Sequence, residues 1–263
     1  MDLGLHGKVA LVTASSKGLG RGVAEALAQE GADLILCARD EGALKETAAA
    51  IAAATGRQVL ALRADVSRPE EIERLVAAGQ ERFGRIDILV ANAGGPRPGK
   101  FLDLADGDWQ AAFELTLMSA VRLTRAVLPG MLARRWGRIL YITSSSVKQP
   151  IPNLLLSNSL RAAVTGMAKT LSAEVAGHGV TVNCLAPGRI DTDRVRFLDA
   201  ETARQRGITA EEVRREQEAR IPAGRYGDPL EFGRAAAFLC SEAAGYITGV
   251  TLQVDGGLIN TLW

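Results

Sequence analysis

Aromatic residues make up only 5% of this 263-residue chain, and histidine occurs just twice, at His6 and His178. Neither histidine stands at metal-ligand spacing from a cysteine or an acid, so no metal site is expected. His178 follows a different helix near its C-terminus, with no aspartate nearby in sequence, which argues against a Ser–His–Asp reading. The three cysteines, Cys37, Cys184 and Cys240, are odd in number, widely spaced and set inside apolar segments. That pattern argues against a disulfide framework or zinc cluster and for small buried hydrophobes. Charge of either sign is not in excess: 31 basic against 30 acidic residues give a net charge of +1. Nothing there attracts nucleic acid or an anionic membrane. The opening stretch, residues 1–7, has no basic region followed by an apolar run, so no signal peptide is read. No apolar stretch is judged to approach the ~20 residues of a membrane span, and a cytoplasmic protein is expected.

What the chain has is aliphatic residues in a regular rhythm, within a hydrophobic content of 47%. Short β-branched runs at 9–13, 33–38, 59–63, 86–91, 138–143, 180–186 and 251–254 read as strands. Most are nearly all apolar rather than alternating, as parallel strands covered on both faces are. Alanine-rich stretches at 19–30, 41–54, 69–83, 109–133, 159–176 and 229–241 are long enough to be crossover helices. This alternation predicts an α/β fold: a Rossmann-type doubly wound parallel sheet of about seven strands with helices on both faces. One domain over 1–263 is expected. The polar segment 190–227 interrupts the rhythm and should carry one or two short helices outside the sheet. A long insertion at that point reads as a substrate lid or binding loop, or as a solvated excursion.

The first strand runs into Thr13, Ala14, Ser15, Ser16, Lys17, Gly18, Leu19 and Gly20. Glycines at a strand-to-helix turn let a pyrophosphate approach the backbone and sit on the helix N-terminus, where amides and dipole favour negative charge. Asp65-Val66 follow the third strand, Asn92-Ala93-Gly94 the fourth and Pro187-Gly188 the sixth; Val254-Asp255-Gly256-Gly257 stands near the C-terminus. In this order the motifs resemble those of the short-chain dehydrogenase/reductases over nearly the whole chain, and the chain is most similar to the 3-oxoacyl-acyl-carrier-protein reductase group. One departure is Ala14, where the family has its first motif glycine; a positive φ there would be strained.

The resemblance implies a bound dinucleotide, with Asp65 and Val66 bordering the adenine, Asn92 the adenosine-side ribose, and Ile190 and Thr192 the nicotinamide carboxamide. Strand two ends on Arg39 rather than on an acid, and Lys17 lies in the glycine loop. Two cations near the ribose suit a 2′-phosphate, so NADP(H) is expected in preference to NAD(H). Asp40 is a competing partner for Arg39, and two solvated surface cations are the plainer reading.

At the chemical end the family uses a tyrosine, a lysine that lowers its pKa, a serine that holds the substrate oxygen and an asparagine that supports a water relay. Ser144 matches the serine. Thirteen residues on, where Tyr-x-x-x-Lys begins in the family, stand Ser157 and Arg161. The register is fixed from the other side by Gly166, Met167, Ala168 and Lys169, and the asparagine position is Thr116. A serine hydroxyl is far too weak an acid to replace a tuned tyrosine, and arginine does not shuttle protons as lysine does. Lys148 is the nearby side chain able to serve as a substitute acid. Four residues apart on one helix, Ser157 and Arg161 should share a face toward Ser144, with Arg161 placed for a ribose or for a ligand carboxylate or carbonyl.

Arg189, Arg194, Arg196, Arg214 and Arg215 gather in or near the lid segment and would suit an acidic or phosphopantetheine-bearing (thioester-linked) substrate. Asp191, Asp193, Glu211 and Glu212 lie among them, so a salt-bridged surface is an equal reading. Two functions stand: an oxidoreductase of carbonyl or hydroxyl compounds with a non-standard proton donor, or a catalytically silent homologue that binds dinucleotide or a partner subunit. The resemblance further implies a homo-oligomer, a tetramer, paired through helices 109–133 and 159–176 and the last strand.

Overall fold

A computed structural model describes residues 2–262 of the chain. The apolar runs form seven parallel strands: β1 Val9–Thr13, β2 Asp33–Ala38, β3 Val59–Arg63, β4 Ile88–Ala91, β5 Gly137–Ile142, β6 Val180–Pro187 and β7 Thr251–Val254. Their order in the sheet is β3-β2-β1-β4-β5-β6-β7, so the chain reverses direction of winding between β1 and β4. That reversal opens a crevice at the carboxyl ends of the strands, where ligands of open α/β sheets bind. Side chains alternate across the sheet and divide the core in two. Ala10, Val12, Leu34 and Leu36 face helices α1 Gly18–Gln29, α2 Glu41–Thr55 and α9 Pro229–Leu239. Val9, Leu11, Ile35 and Cys37 face α3 Pro69–Phe83, α5 Ser119–Arg134 and α6 Leu155–Val175.

Two glycines bring α1 and α9 into backbone contact. A Cβ on Gly233 would stand 2.1 Å from the Gly22 carbonyl oxygen, and one on Gly22 would stand 2.3 Å from that of Pro229. The α9 helix is held at its start by a capping box in which Asp228 accepts from Leu230 N–H and Glu231 from Asp228 N–H, at 2.7 and 2.8 Å.

Three expectations need correction. The strand read at 86–91 begins at Ile88, because the Asp87 carboxylate turns inward to accept the Val9 amide at 3.0 Å and is held by Arg85 and Arg134. The helix read at 109–133 is a longer helical run, α4 Asp106–Ala112, a π-helical turn Phe113–Met118, and α5. This unbroken run of 29 residues, Asp106–Arg134, is long and apolar enough to cross a membrane by length and composition, contrary to the sequence reading. Here its apolar side lies on the core: Ala120, Leu123, Val127 and Met131 are buried in the second cluster. The third correction is at α6, which starts at Leu155, four residues before the expected position. Asn158, inside its first turn, ties the helix back to the preceding loop, donating to the Ile151 carbonyl at 2.9 Å. Segment 190–227 carries two helices, α7 Asp193–Arg206 and α8 Ala210–Glu218.

Candidate active site

The crevice between β1 and β4 is built from a side chain that imitates a strand. Thr13 Oγ1 donates to the Asn92 carbonyl at 2.6 Å and accepts the Asn92 amide at 2.9 Å, locking the two strand ends together. Asn92 Nδ2 then reaches the Ala14 carbonyl at 3.3 Å. Ala14 has φ 49°, a conformation that favours glycine, as its place in the motif foretold. Its carbonyl leaves no room at Gly20, where a Cβ would stand 2.3 Å away. Ser15 is buried with its amide on the Cys37 carbonyl at 3.0 Å, and Thr47 Oγ1 donates to the Ser16 carbonyl at 2.8 Å.

Lys17 is the N-cap of α1 and makes no side-chain cap; Gly18 follows at φ 57°, and the first turn, which includes Leu19, has no acid. The leading amides and the dipole of this 12-residue helix are thus uncompensated by any side chain, as an anion-binding terminus requires. Lys17 Nζ lies 3.3 Å from Asp193, an exposed pair that a phosphate can compete for. Asp40 does not pair with Arg39: its carboxylate caps α2, accepting the Ala43 amide at 3.1 Å. Arg39 is left exposed, without a hydrogen bond or ion pair among the described residues. Its charge is felt by Asp65. Burial pushes that carboxyl up, but the Ser67 amide and hydroxyl at 3.0 and 2.8 Å, with Arg39 and Arg68, hold it below the ordinary range. Val66 is buried beneath, Ala93 is partly buried, and Gly94 is open, with nothing within 4 Å of a Cβ.

On the other wall, the Gly188 amide following Pro187 donates to the Val254 carbonyl at 3.0 Å. A Cβ at Gly188 would stand 2.5 Å from Asp255 Cβ. Ile190 is buried against Gly227, and Thr192 caps α7 by accepting the Val195 amide at 3.4 Å. The Thr192 methyl comes within 3.4 Å of the Cβ position of Gly18, so the ends of β1 and β6 face each other across the crevice.

At the chemical end, Ser144 Oγ accepts the Ser146 amide at 3.1 Å and keeps its own proton to donate. Ser157, one helical turn before Arg161 on α6, is partly buried with no hydrogen bond among the described residues. Arg161 is 9% exposed and donates from Nη1 to the Ile142 carbonyl at 2.7 Å. No carboxylate neutralises it. Burial, and then the charge of Arg194, push its pKa down to about 10, so it remains a cation at neutral pH. Its guanidinium and Thr116 line one small cavity of about 10 Å³ with Asn92, Ala93 and Tyr141, the size that holds a single water. Thr116, 5% exposed, sits mid-way along the π-helical turn with its Oγ1 buried and unpartnered. No sequence pattern announced that widened turn.

None of the three tyrosines supplies a tuned acid. Tyr141 is buried with its hydroxyl on Thr124 at 2.6 Å, and burial pushes its pKa well up. Tyr226 donates to Asp199 at 2.7 Å and is also pushed up, first by burial and then by that carboxylate. Tyr246 is fully exposed. Lys148, read as a substitute acid or a solvated loop lysine, follows the short helical turn after Ser144. It lines a different cavity of about 170 Å³ with Thr165, Lys169, Cys184 and the start of β7, to which neither Ser144, Ser157 nor Arg161 contributes.

The lid arginines divide. Arg189 pairs with Asp199, Arg196 with Asp191 and Asp193, and Arg214 with Asp191 and Glu218. Arg194 has no ion pair among the described residues. It reaches the loop after β4, donating to the Pro96 carbonyl at 3.3 Å with its guanidinium laid on Gly95.

Comparison with known proteins agrees with this geometry. Residues 13–259 match the family model described as enoyl-(acyl carrier protein) reductase. The 3-oxoacyl-(acyl-carrier-protein) reductase FabG of Vibrio cholerae is 40% identical over 97% of this chain and 99% of its own. L-sorbose reductase of Gluconobacter frateurii, solved with NADPH and L-sorbose, superposes with a TM-score of 0.95 at 37% identity, each chain covered fully. An actinorhodin polyketide ketoreductase solved with NADPH gives a TM-score of 0.92 at 36% identity, covering 97% of this chain and 98% of that one.

Proposed function

The chain belongs to the short-chain dehydrogenase/reductase family, and on that footing we propose that it is an NADP(H)-dependent oxidoreductase interconverting a carbonyl and a hydroxyl, with Ser157 and Arg161 in place of the tyrosine and lysine. The observation that carries this reading is the N-terminus of α1, its amides uncapped by any side chain among the described residues, with Lys17 at the cap and Arg39 just past the end of the neighbouring strand β2. When bound, the dinucleotide supplies hydride at its nicotinamide. The turn from Thr13 to Gly20 holds its pyrophosphate, Lys17 and Arg39 the 2′-phosphate, and Asp65, Val66, Asn92, Ala93 and Gly94 the adenosine side. Pro187, Gly188, Ile190 and Thr192 hold the nicotinamide side, with segment 190–227 as a lid on the same domain.

Ser144 orients the substrate oxygen by donating its proton, and Ser157 donates from the helix opposite. Arg161 stabilises the negative charge that develops on that oxygen, a task for which permanent charge in a dry site is an asset. The proton itself comes from water, for which the cavity between Arg161 and Thr116 has room. The absence of a tuned general acid costs about 10²–10⁴ in rate, so slow turnover is expected. The protein works in the cytoplasm on a small-molecule substrate.

Titration of the protein with NADPH and NADH, followed by nicotinamide fluorescence, tests the reading. Saturable binding selective for NADPH is expected, and binding of neither at millimolar concentration would sink it. A silent, dinucleotide-binding homologue is the second reading, favoured by the want of a tunable acid in the cleft. Restoring Ser157→Tyr with Arg161→Lys separates the two: a gain of reductase activity from none marks a silent scaffold, while disturbance of existing turnover marks a working site.

A further inference from the structure

We infer that the substrate carries a free carboxylate, a small oxo acid seated with its carboxylate on Arg194 and its reacting oxygen toward Ser144 and Arg161. This rests on the oxidoreductase reading above and names the substrate class of that same site. Three buried or cleft-facing arginines lack a carboxylate among the described residues, and they are not alike. Arg138 is satisfied by the chain itself: it donates to the carbonyls of Ser241, Gly137 and Gly179 at 2.9–3.3 Å and stacks on Trp136 at 4.4 Å. Arg161 and Arg194 each make one hydrogen bond, to Ile142 and Pro96, out of the five donors a guanidinium offers; Arg161 is buried, whereas Arg194 is exposed, with its guanidinium 5.8 Å from the Phe197 ring.

The two lie on either side of one short stretch of chain. Asn92 and Ala93 line the cavity beneath Arg161, while Gly95 and Pro96 form the seat of Arg194. That seat depends on Gly95, where a Cβ would stand 3.2 Å from Nη2 of Arg194. Next to it on α7, Arg196 is spoken for by two aspartates, so the free cation is the one that crosses the cleft. Like charges gathered without a counter-ion are unfavourable until an anion joins them, and guanidinium groups match a carboxylate in geometry. A thioester substrate offers no charge at this place.

The test uses three probes of one carbon skeleton: 2-oxohexanoate, its methyl ester, and the 3-oxohexanoyl thioester of N-acetylcysteamine. Each is titrated by calorimetry into the protein saturated with NADP⁺, and into the protein alone. The acid is expected to bind about 10–100-fold more tightly than ester or thioester, as a charge-assisted hydrogen bond warrants. Arg194→Gln should erase that gap while leaving NADP⁺ affinity within about 2-fold, and Arg196→Gln should leave both unchanged. Equal binding of acid and ester, tighter binding of the thioester, or an undiminished gap in Arg194→Gln would overturn the inference. Failure of NADP⁺ to bind would instead strike the oxidoreductase reading, and the titration of the protein alone would still decide this one.

Discussion

At the scale of the residue, the notable feature is a buried cation in the cleft, at the position that we read as the family's lysine. Arg161 is buried, holds one carbonyl and faces an orphaned threonine hydroxyl. Such a charge is carried for function at the expense of stability. Its folded pKa, about 10, is depressed below the usual arginine value, so the penalty is fully present below pH 10 and fades as pH rises beyond it. Arg161→Met should therefore stabilise the cofactor-free protein by about 1–3 kcal/mol at neutral pH, a rise of a few degrees in Tm. Thermal unfolding of the two proteins at pH 7 and at pH 10.5 checks both the sign and the shrinking difference. The cysteines need no such account: burial pushes Cys37 and Cys240 up to about 12 and Cys184 up to about 11, which makes them poor nucleophiles.

At the scale of the element, the phosphate end rests on how α1 is held. Its N-terminus points at the crevice because α9 presses against its flank with no side chains between Gly22 and Gly233. Gly233→Ala forces the two backbones apart, and neither has a flexible neighbour to give way. A loss of more than about 2 kcal/mol is expected, in the range of overpacked core sites, with weaker NADPH binding in proportion to the displacement of Gly18 and Gly20. Denaturant unfolding and nucleotide titration of the same variant measure the two effects. Elements were also where sequence reading met its limits. Strands such as 33–38 were legible because they are uninterrupted apolar runs, and helix 69–83 because proline opens it and glycine closes it. The π-helical turn that carries Thr116 was not, since its residues read as any other helix; it is seen only in the fold, where the turn packs against α6.

At the scale of the whole molecule, apolar surface remains where a further copy would cover it. Val250 and Leu252 are exposed at the edge strand β7, and Leu262 lies open beyond it. An unpaired, partly apolar edge invites pairing with another chain. A homotetramer is expected, with a mass about four times the 27.8 kDa of one chain. Sedimentation equilibrium decides it, and Leu252→Lys should lower the mass toward that of a smaller species. The long apolar run from 106 to 134 has one side turned to the core, and its outer side is where the expected tetramer would pair.

Local sequence determined the strand and helix rhythm, the glycine turn, the strained Ala14, and the placing of Ser157 and Arg161 one turn apart on a helix. These are legible because hydrophobic period, turn chemistry and ionisation are properties of a few neighbouring residues. Only the tertiary structure decided which charges are spent and which are free. Asp40 caps a helix and releases Arg39, aspartates of the same segment claim Arg189, Arg196 and Arg214, and Lys148 lines another cavity. Arg161 and Arg194, 33 positions apart, are left uncompensated beside one cleft. Charge pairing acts through space, so which of several candidate acids an arginine takes, or whether it takes one, is set by the fold rather than by position along the chain.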